Sequence, residues 1–208
     1  MSYSDPRTKK GVLGILVLGI LLGIILWGGF NWTLDLTNTE EFCVSCHEMR
    51  ATPFKELQDT IHYSNRTGVR ATCPDCHVPR PWIYKIVRKI QASNELYHHF
   101  FTQDVDTPAK FEAKRMELAK SVWTAMKNTD SRECRNCHDY VSMDFSRQGS
   151  RAVQRHEEMD PNAPGSKEHE KAAQAGMTCI DCHKGVAHKL PAGYDPAKDI
   201  PGKSPYYK

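Results

Sequence analysis

One five-residue pattern occurs four times and uses every cysteine in the chain: Cys43-Val-Ser-Cys46-His47, Cys73-Pro-Asp-Cys76-His77, Cys134-Arg-Asn-Cys137-His138 and Cys179-Ile-Asp-Cys182-His183. Cys-x-x-Cys-His is the attachment pattern of c-type haem. Two thiols add to the vinyl groups of one porphyrin, and the adjacent histidine becomes an axial iron ligand. A redox Cys-x-x-Cys needs no following histidine. Disulfides do not explain a histidine after every second cysteine. A zinc reading fits a single copy but not four identical ones. The pattern therefore predicts four covalently attached haem c groups. The chain has 208 residues, so much of the interior would be porphyrin rather than apolar side chain. The expected fold is mainly α with much irregular structure.

The first ten residues are polar and carry Arg7, Lys9 and Lys10, followed by twenty uncharged residues, 11–30. At helical rise, twenty residues span about 30 Å, the thickness of a bilayer's hydrocarbon core. The run is too long for a cleaved signal peptide, and Trp27, Phe30 and Trp32 read as an interfacial aromatic belt. The expectation is a transmembrane signal anchor over 11–30. Residues 1–10 would be cytoplasmic and the chain from 31 onward outside, by the positive-inside rule. This places a single-pass protein in a bacterial inner membrane, with its haem domain in the periplasm. Gly19-x-x-x-Gly23 leaves a homo-oligomer open. A net charge of only +3 gives no case for nucleic acid.

Short matching stretches suggest an internal duplication. Thr72 precedes the second motif and Thr178 the fourth, each giving T-C-x-D-C-H. His62 and His169 lie at nearly the same distance before those motifs. Two di-haem units follow, about 38–80 and 128–190, within a tetrahaem domain over 31–194. A flexible tail is expected over 195–208. Between the units the spacing predicts a helix over 81–101. Its apolar side carries Ile83, Ile86, Val87, Ile90 and Tyr97; its basic side carries Lys85, Arg88 and Lys89. Such a helix either lies on a lipid surface or packs on haem with a solvated basic face. Thr107 and Pro108 predict the N-cap and first turn of a second helix ending near Lys127. Phe111, Leu118, Val122, Trp123 and Met126 would be its haem-facing residues.

Six histidines lie outside the motifs: His62, His98, His99, His156, His169 and His188. Low-spin electron-transfer haems need a second axial ligand, usually histidine or methionine. His62 and His169 rank first by their equivalent places in the repeat. His188 is too close to His183 to reach over the same porphyrin, so it would serve another. Of the adjacent pair His98 and His99, at most one would ligate. His156 stands in reserve for His169. Met49, two residues past His47, is an alternative to His47 at the first motif.

The anchor resembles the NapC/NirT family of membrane-anchored tetrahaem cytochromes, as do Asn38-Thr-Glu-Glu-Phe-Cys-Val-Ser-Cys-His-Glu-Met49 and Gly68-Val-Arg-Ala-Thr-Cys-Pro-Asp-Cys-His-Val-Pro79. Thr178-Cys-Ile-Asp-Cys-His-Lys-Gly-Val-Ala-His-Lys-Leu-Pro191 is most similar to the NapC branch. The resemblance implies a protein that takes electrons from membrane quinol, menaquinol or ubiquinol, and hands them to a periplasmic reductase. Nitrate reductase is the expected partner; nitrite or another reductase, as in the NirT, NrfH and CymA branches, is the alternative. It also implies that the first haem lies near the quinol site, with Met49 or His47 as ligand. His62 and His188 would serve haems of the opposite pair. The fourth distal ligand stays open between His169, His156 and His99. Glu95 falls where relatives carry an aspartate, beside Arg88 and Lys89. Quinol oxidation releases protons, so Glu95 is the candidate acceptor and Lys89 or Arg88 the orienting cation. Two other classes compete: a multihaem reductase acting directly on an oxyanion, and a structural or haem-storage protein.

Overall fold

The structure is a computed structural model, and it describes residues 6–160 and 176–195. Two compact units are present, Met1–Cys43 and Val44–Lys208. The first is built on α1, Pro6–Leu36. Within it, Lys10–Leu36 is long and apolar enough to cross a membrane. The helix outlasts the apolar run of 11–30 because its polar side chains stay inside the helical register. Asn31 Nδ2 donates to the Trp27 carbonyl at 2.8 Å and Thr33 Oγ1 to the Gly29 carbonyl at 2.8 Å. Both are one turn back, so these residues do not need water to satisfy their side chains. A single helical turn, α2 (Glu40–Cys43), follows.

The second unit is helical and irregular, with no strand among the described residues. Its helices are α3 (His47–Ala51), α4 (Pro53–Gln58), α5 (Cys73–His77), α6 (Trp82–Tyr97), α7 (Pro108–Asn128), α8 (Ser150–Met159) and α9 (Cys179–Cys182). A π-turn, His98–Thr102, extends α6. The long α7 is the scaffold, packing against α3 and α9. Thr107 caps it, accepting from the Lys110 amide at 3.4 Å, and Pro108 occupies the first turn. Phe111 and Trp123 are buried on its inner face. Leu118, expected on that face, is exposed, although it lies only about 20° around the helix from Phe111. Among the described residues of this unit, the buried apolar ones are Leu57, Phe111, Trp123, Tyr140 and Ile180. That is too small a core to hold such a chain by side-chain packing alone, as expected where a large apolar group fills the interior.

α6 does not pack its apolar side inward with a solvated basic face, the second of the two sequence expectations; its exposures go with the first, a helix whose apolar side faces away from the protein. Lys85, Arg88, Lys89 and Ala92 are half-buried, whereas Ile83, Val87, Ile90 and Tyr97 are exposed. The basic side faces the domain and the apolar side faces outward.

Candidate haem-binding site

The four motifs fall into two local geometries. The second and fourth open on reciprocal caps. The Thr72 amide donates to Asp75 Oδ2 at 2.9 Å, and the Thr178 amide to Asp181 Oδ2 at 2.9 Å. Each aspartate closes one turn of helix over the Cys-x-x-Cys segment, which sets the two thiols on one side. The first motif instead runs from α2 into α3, and the third forms a 3-10 turn over Cys134–Asn136. The third and fourth motifs are stitched together by Ser131, which is fully buried. Its hydroxyl is bonded to Thr178 Oγ1 and accepts from the Ile180 amide at 3.1 Å. Lys127 Nζ adds an ion pair to Asp181 at 2.7 Å.

None of the eight cysteines is in a disulfide. Burial pushes the Cys134 thiol up to about 11 and raises Cys76 as well. A redox Cys-x-x-Cys has the opposite shift, a lowered thiol pKa.

Each motif histidine faces one histidine from outside the motifs. Ring centres lie 5.9 Å apart for His47 and His99. The separation is 6.2 Å for His77 and His188, and 6.2 Å for His138 and His62. For His183 and His156 it is 5.8 Å. Two imidazoles on opposite sides of one metal, each bound at about 2 Å, hold their ring centres roughly 6 Å apart. The donor set therefore fits a six-coordinate haem iron at every motif. Burial lowers the pKa of His77 to about 4, with help from His188 and Arg88. It also lowers His138, His156 and His188. These rings are neutral and offer a lone pair, the form that binds metal.

The pairs interlock the two halves of the sequence. His62, ahead of the second motif, faces the third motif's histidine; His188, beyond the fourth, faces the second's. Gly185 makes the second arrangement reachable. It turns the chain at φ 79°, where a side chain is strained, and an added Cβ would meet Leu190 at 3.0 Å. That turn separates His188 from His183. His169 lies outside the described residues; His156 on α8 is the ring that faces His183. Met49 is half-buried on α3, two residues from His47. Two helical positions are about 200° apart, so Met49 points away from the side on which His47 meets His99. His98 turns instead to Thr102 and Asp104, at 3.0 and 3.1 Å from its Nδ1.

Behind the four outer histidines stand four different groups, which inspection of the sequence had not singled out. His99 Nδ1 donates to Glu48 Oε1 at 2.5 Å. His62 Nδ1 donates to the Val186 carbonyl at 3.3 Å, and His156 Nδ1 to Gln148 Oε1 at 2.6 Å. His188 Nδ1 lies 3.9 Å from Glu56 Oε2. Glu56 is itself clamped by buried Arg115, at 2.5 and 2.9 Å. The one visible signal was Glu48, an acid set directly between His47 and Met49.

Glu95 is exposed and pairs with Arg88 at 2.7 Å. Arg88 also donates from Nε to the His77 carbonyl at 3.2 Å. Lys89 is half-buried on the inward side of α6.

Residues 5–193 match the NapC/NirT cytochrome c family, N-terminal region. The chain belongs to this family. Across 188 residues it is 52% identical to the denitrification system component NirT of Stutzerimonas stutzeri, covering 90% of this chain and 87% of that one. It is 51% identical over 188 residues to the cytochrome c-type protein NapC of Escherichia coli (strain K12), covering 90% and 86%. The cytochrome c-type protein TorC of the same strain is 40% identical over 89% of this chain, but only 44% of TorC is covered. No solved structure matches. The protein is thus an electron-transport c-type cytochrome with covalent haem c and an N-terminal membrane anchor.

Proposed function

We propose that this chain oxidises membrane quinol and passes the electrons to a periplasmic reductase, nitrate reductase in first place. The observation that carries an electron-transfer role is the set of four facing histidine pairs. A haem iron held by two histidines has no open position for a substrate, which speaks against direct reduction of an oxyanion. Bound haem c supplies one-electron acceptance and release. The chain's own residues supply the rest. His47 and His99 would hold the first group, His77 and His188 the second, His138 and His62 the third, and His183 and His156 the fourth. The choice of nitrate reductase rests on the similarity to NapC.

Quinol is dissolved in the bilayer, so the donor site belongs where the domain leaves the membrane. Glu95 is the proton acceptor in this reading and Arg88 the cation that orients the quinol oxygen, with Lys89 beside it. The Arg88–Glu95 pair at 2.7 Å is accessible, so an incoming hydroxyl meets an acceptor and a cation together. In stopped-flow reduction of vesicle-reconstituted protein by a quinol analogue, Glu95→Gln is expected to slow reduction by at least about tenfold, in the range of general-base effects. Haem content and spectra should be unchanged. An unaltered rate would make Glu95 a surface ion-pair residue. Failure of quinol to reduce the native protein would remove the quinol reading altogether.

A further inference from the structure

The outward face of α6 has an unusual composition for a water-exposed surface. Ile83 is 65% exposed, Ile90 68%, Phe100 67% and Phe101 75%. Val87 and Tyr97 continue the stripe, and Asn94, the one polar residue on it, is uncharged. The helix's charged residues, Lys85, Arg88, Lys89 and Glu95, all lie on other sides. Aromatic residues cluster at both ends, Trp82 and Tyr84 at the first, Tyr97, Phe100 and Phe101 at the last. Tyr97 stacks on Phe101 with ring centres 5.2 Å apart. A continuous apolar stripe with aromatic ends matches a helix lying in a membrane interface, where tryptophan and tyrosine concentrate. A basic helix adsorbing through charge would present Lys85, Arg88 and Lys89 outward, which this one does not.

The chain also restricts what can cover the stripe. α1 is the membrane-crossing segment and ends at Leu36, and the second unit begins at Val44. Seven intervening residues reach at most about 25 Å. The second unit is therefore tethered within that reach of the bilayer, and an apolar face this large is unfavourable in water. We propose that α6 and the turn after it form a second, monotopic membrane contact. The stripe from Ile83 to Phe101 is sunk among the lipid headgroups of the leaflet from which α1 emerges.

The test uses the full-length holoprotein. Because haem attachment consumes the native thiols, one introduced cysteine takes a nitroxide label uniquely. Labels go on Ile90→Cys and Asn94→Cys in the stripe, and on Glu117→Cys, an exposed site on α7, as the reference. Asn94 is polar and exposed, so its replacement does not put folding at issue. The proteins are reconstituted into phosphatidylethanolamine–phosphatidylglycerol vesicles, and nitroxide collision with oxygen and with a neutral nickel chelate is measured. The expected result is an oxygen-to-nickel ratio several-fold higher at both stripe sites than at Glu117, unchanged by high salt. Ratios equal to the Glu117 value overturn the proposal. So does low accessibility to both reagents at any lipid-to-protein ratio, which would mean that protein covers the face. A ratio that collapses in high salt overturns it as well, since contact would then be electrostatic. None of these readings depends on quinol turnover, so the result stands apart from the donor reading above.

Discussion

The surroundings of His99 and of His188 differ in how a buried carboxylate is balanced. Behind His99, Glu48 is 6% exposed, and its described partners are two imidazoles: His99 at 2.5 Å and His47 at 3.6 Å. Behind His188, Glu56 is equally buried, but Arg115 grips it with two nitrogens and the Lys189 amide donates to it at 3.1 Å. Arg115 in turn donates to Glu112 and to the Lys189 carbonyl, so its charge is shared. One carboxylate is left to pull on a histidine proton, and the other is already neutralised. A ligand histidine whose Nδ1–H is drawn to an anion becomes a stronger electron donor to its metal. The same residue type thus stands behind two histidines in two electrostatic settings, and the difference comes from Arg115.

The largest expected effect breaks the balanced side. Arg115→Met leaves Glu56 as a buried charge without its cation, and should cost about 3 kcal/mol of stability, as such removals do. Denaturant unfolding of the holoprotein measures it. A loss within experimental error would show that Glu56 is solvated or protonated, and the contrast with Glu48 would disappear.

A smaller effect sharpens the comparison directly. Glu48→Gln keeps the shape and an acceptor oxygen but removes the charge behind His99. On the proposed pairing of His47 with His99, the potential of the haem between them should rise by about 60 mV, equivalent to a tenfold change for one electron. Glu56→Gln should move the His77–His188 group much less, since its carboxylate is already compensated. Redox titration followed by electron paramagnetic resonance resolves the two. An equal or larger shift in Glu56→Gln would refute the distinction.

The smallest effect concerns the turn that carries His99. Asp104 is paired with Lys114 and takes a bond from His98 Nδ1 at 3.1 Å. The Lys114 bond outweighs desolvation and holds the Asp104 carboxyl below its ordinary 3.8. A depressed folded-state value contributes stability above pH 3.8 that disappears as pH falls through that depressed value. Amide protection factors in the turn 98–107, taken against the intrinsic rate at each pH, should therefore fall in acid below about pH 3.8, and in Asp104→Asn they should be low already at neutral pH. Protection in Asp104→Asn matching the native protein at neutral pH would show that the pair does not hold the turn.

Local features were the readable part of this molecule. Four Cys-x-x-Cys-His segments state their chemistry within five residues, because thioether attachment and axial ligation both involve neighbours in the chain. Residues 11–30 state a membrane span through length and apolarity alone. Thr107 and Pro108 mark the start of α7, since caps act over three residues. T-C-x-D-C-H contained its own cap, which recurs with the same bonds at Asp75 and Asp181. The orientation of α6 was not readable. Period separated Ile83, Val87, Ile90 and Tyr97 from the basic side, with Ile86 the exception, but periodicity does not say which face turns inward where a porphyrin and a bilayer both offer apolar partners.

The sequence by itself determined the anchor and the family and marked the four Cys-x-x-Cys-His segments, because each depends on residues adjacent in the chain or on composition over one span. Tertiary structure alone decided which histidine faces which, and what stands behind each. His62 meets His138 and His77 meets His188 across most of the domain's length. Those meetings are set by the path of the chain around α7 and through the Gly185 turn, and no local pattern encodes them. The contrast between Glu48 and Glu56 has the same origin. It depends on whether Arg115, far off in sequence, is brought within hydrogen-bonding distance of a buried carboxylate.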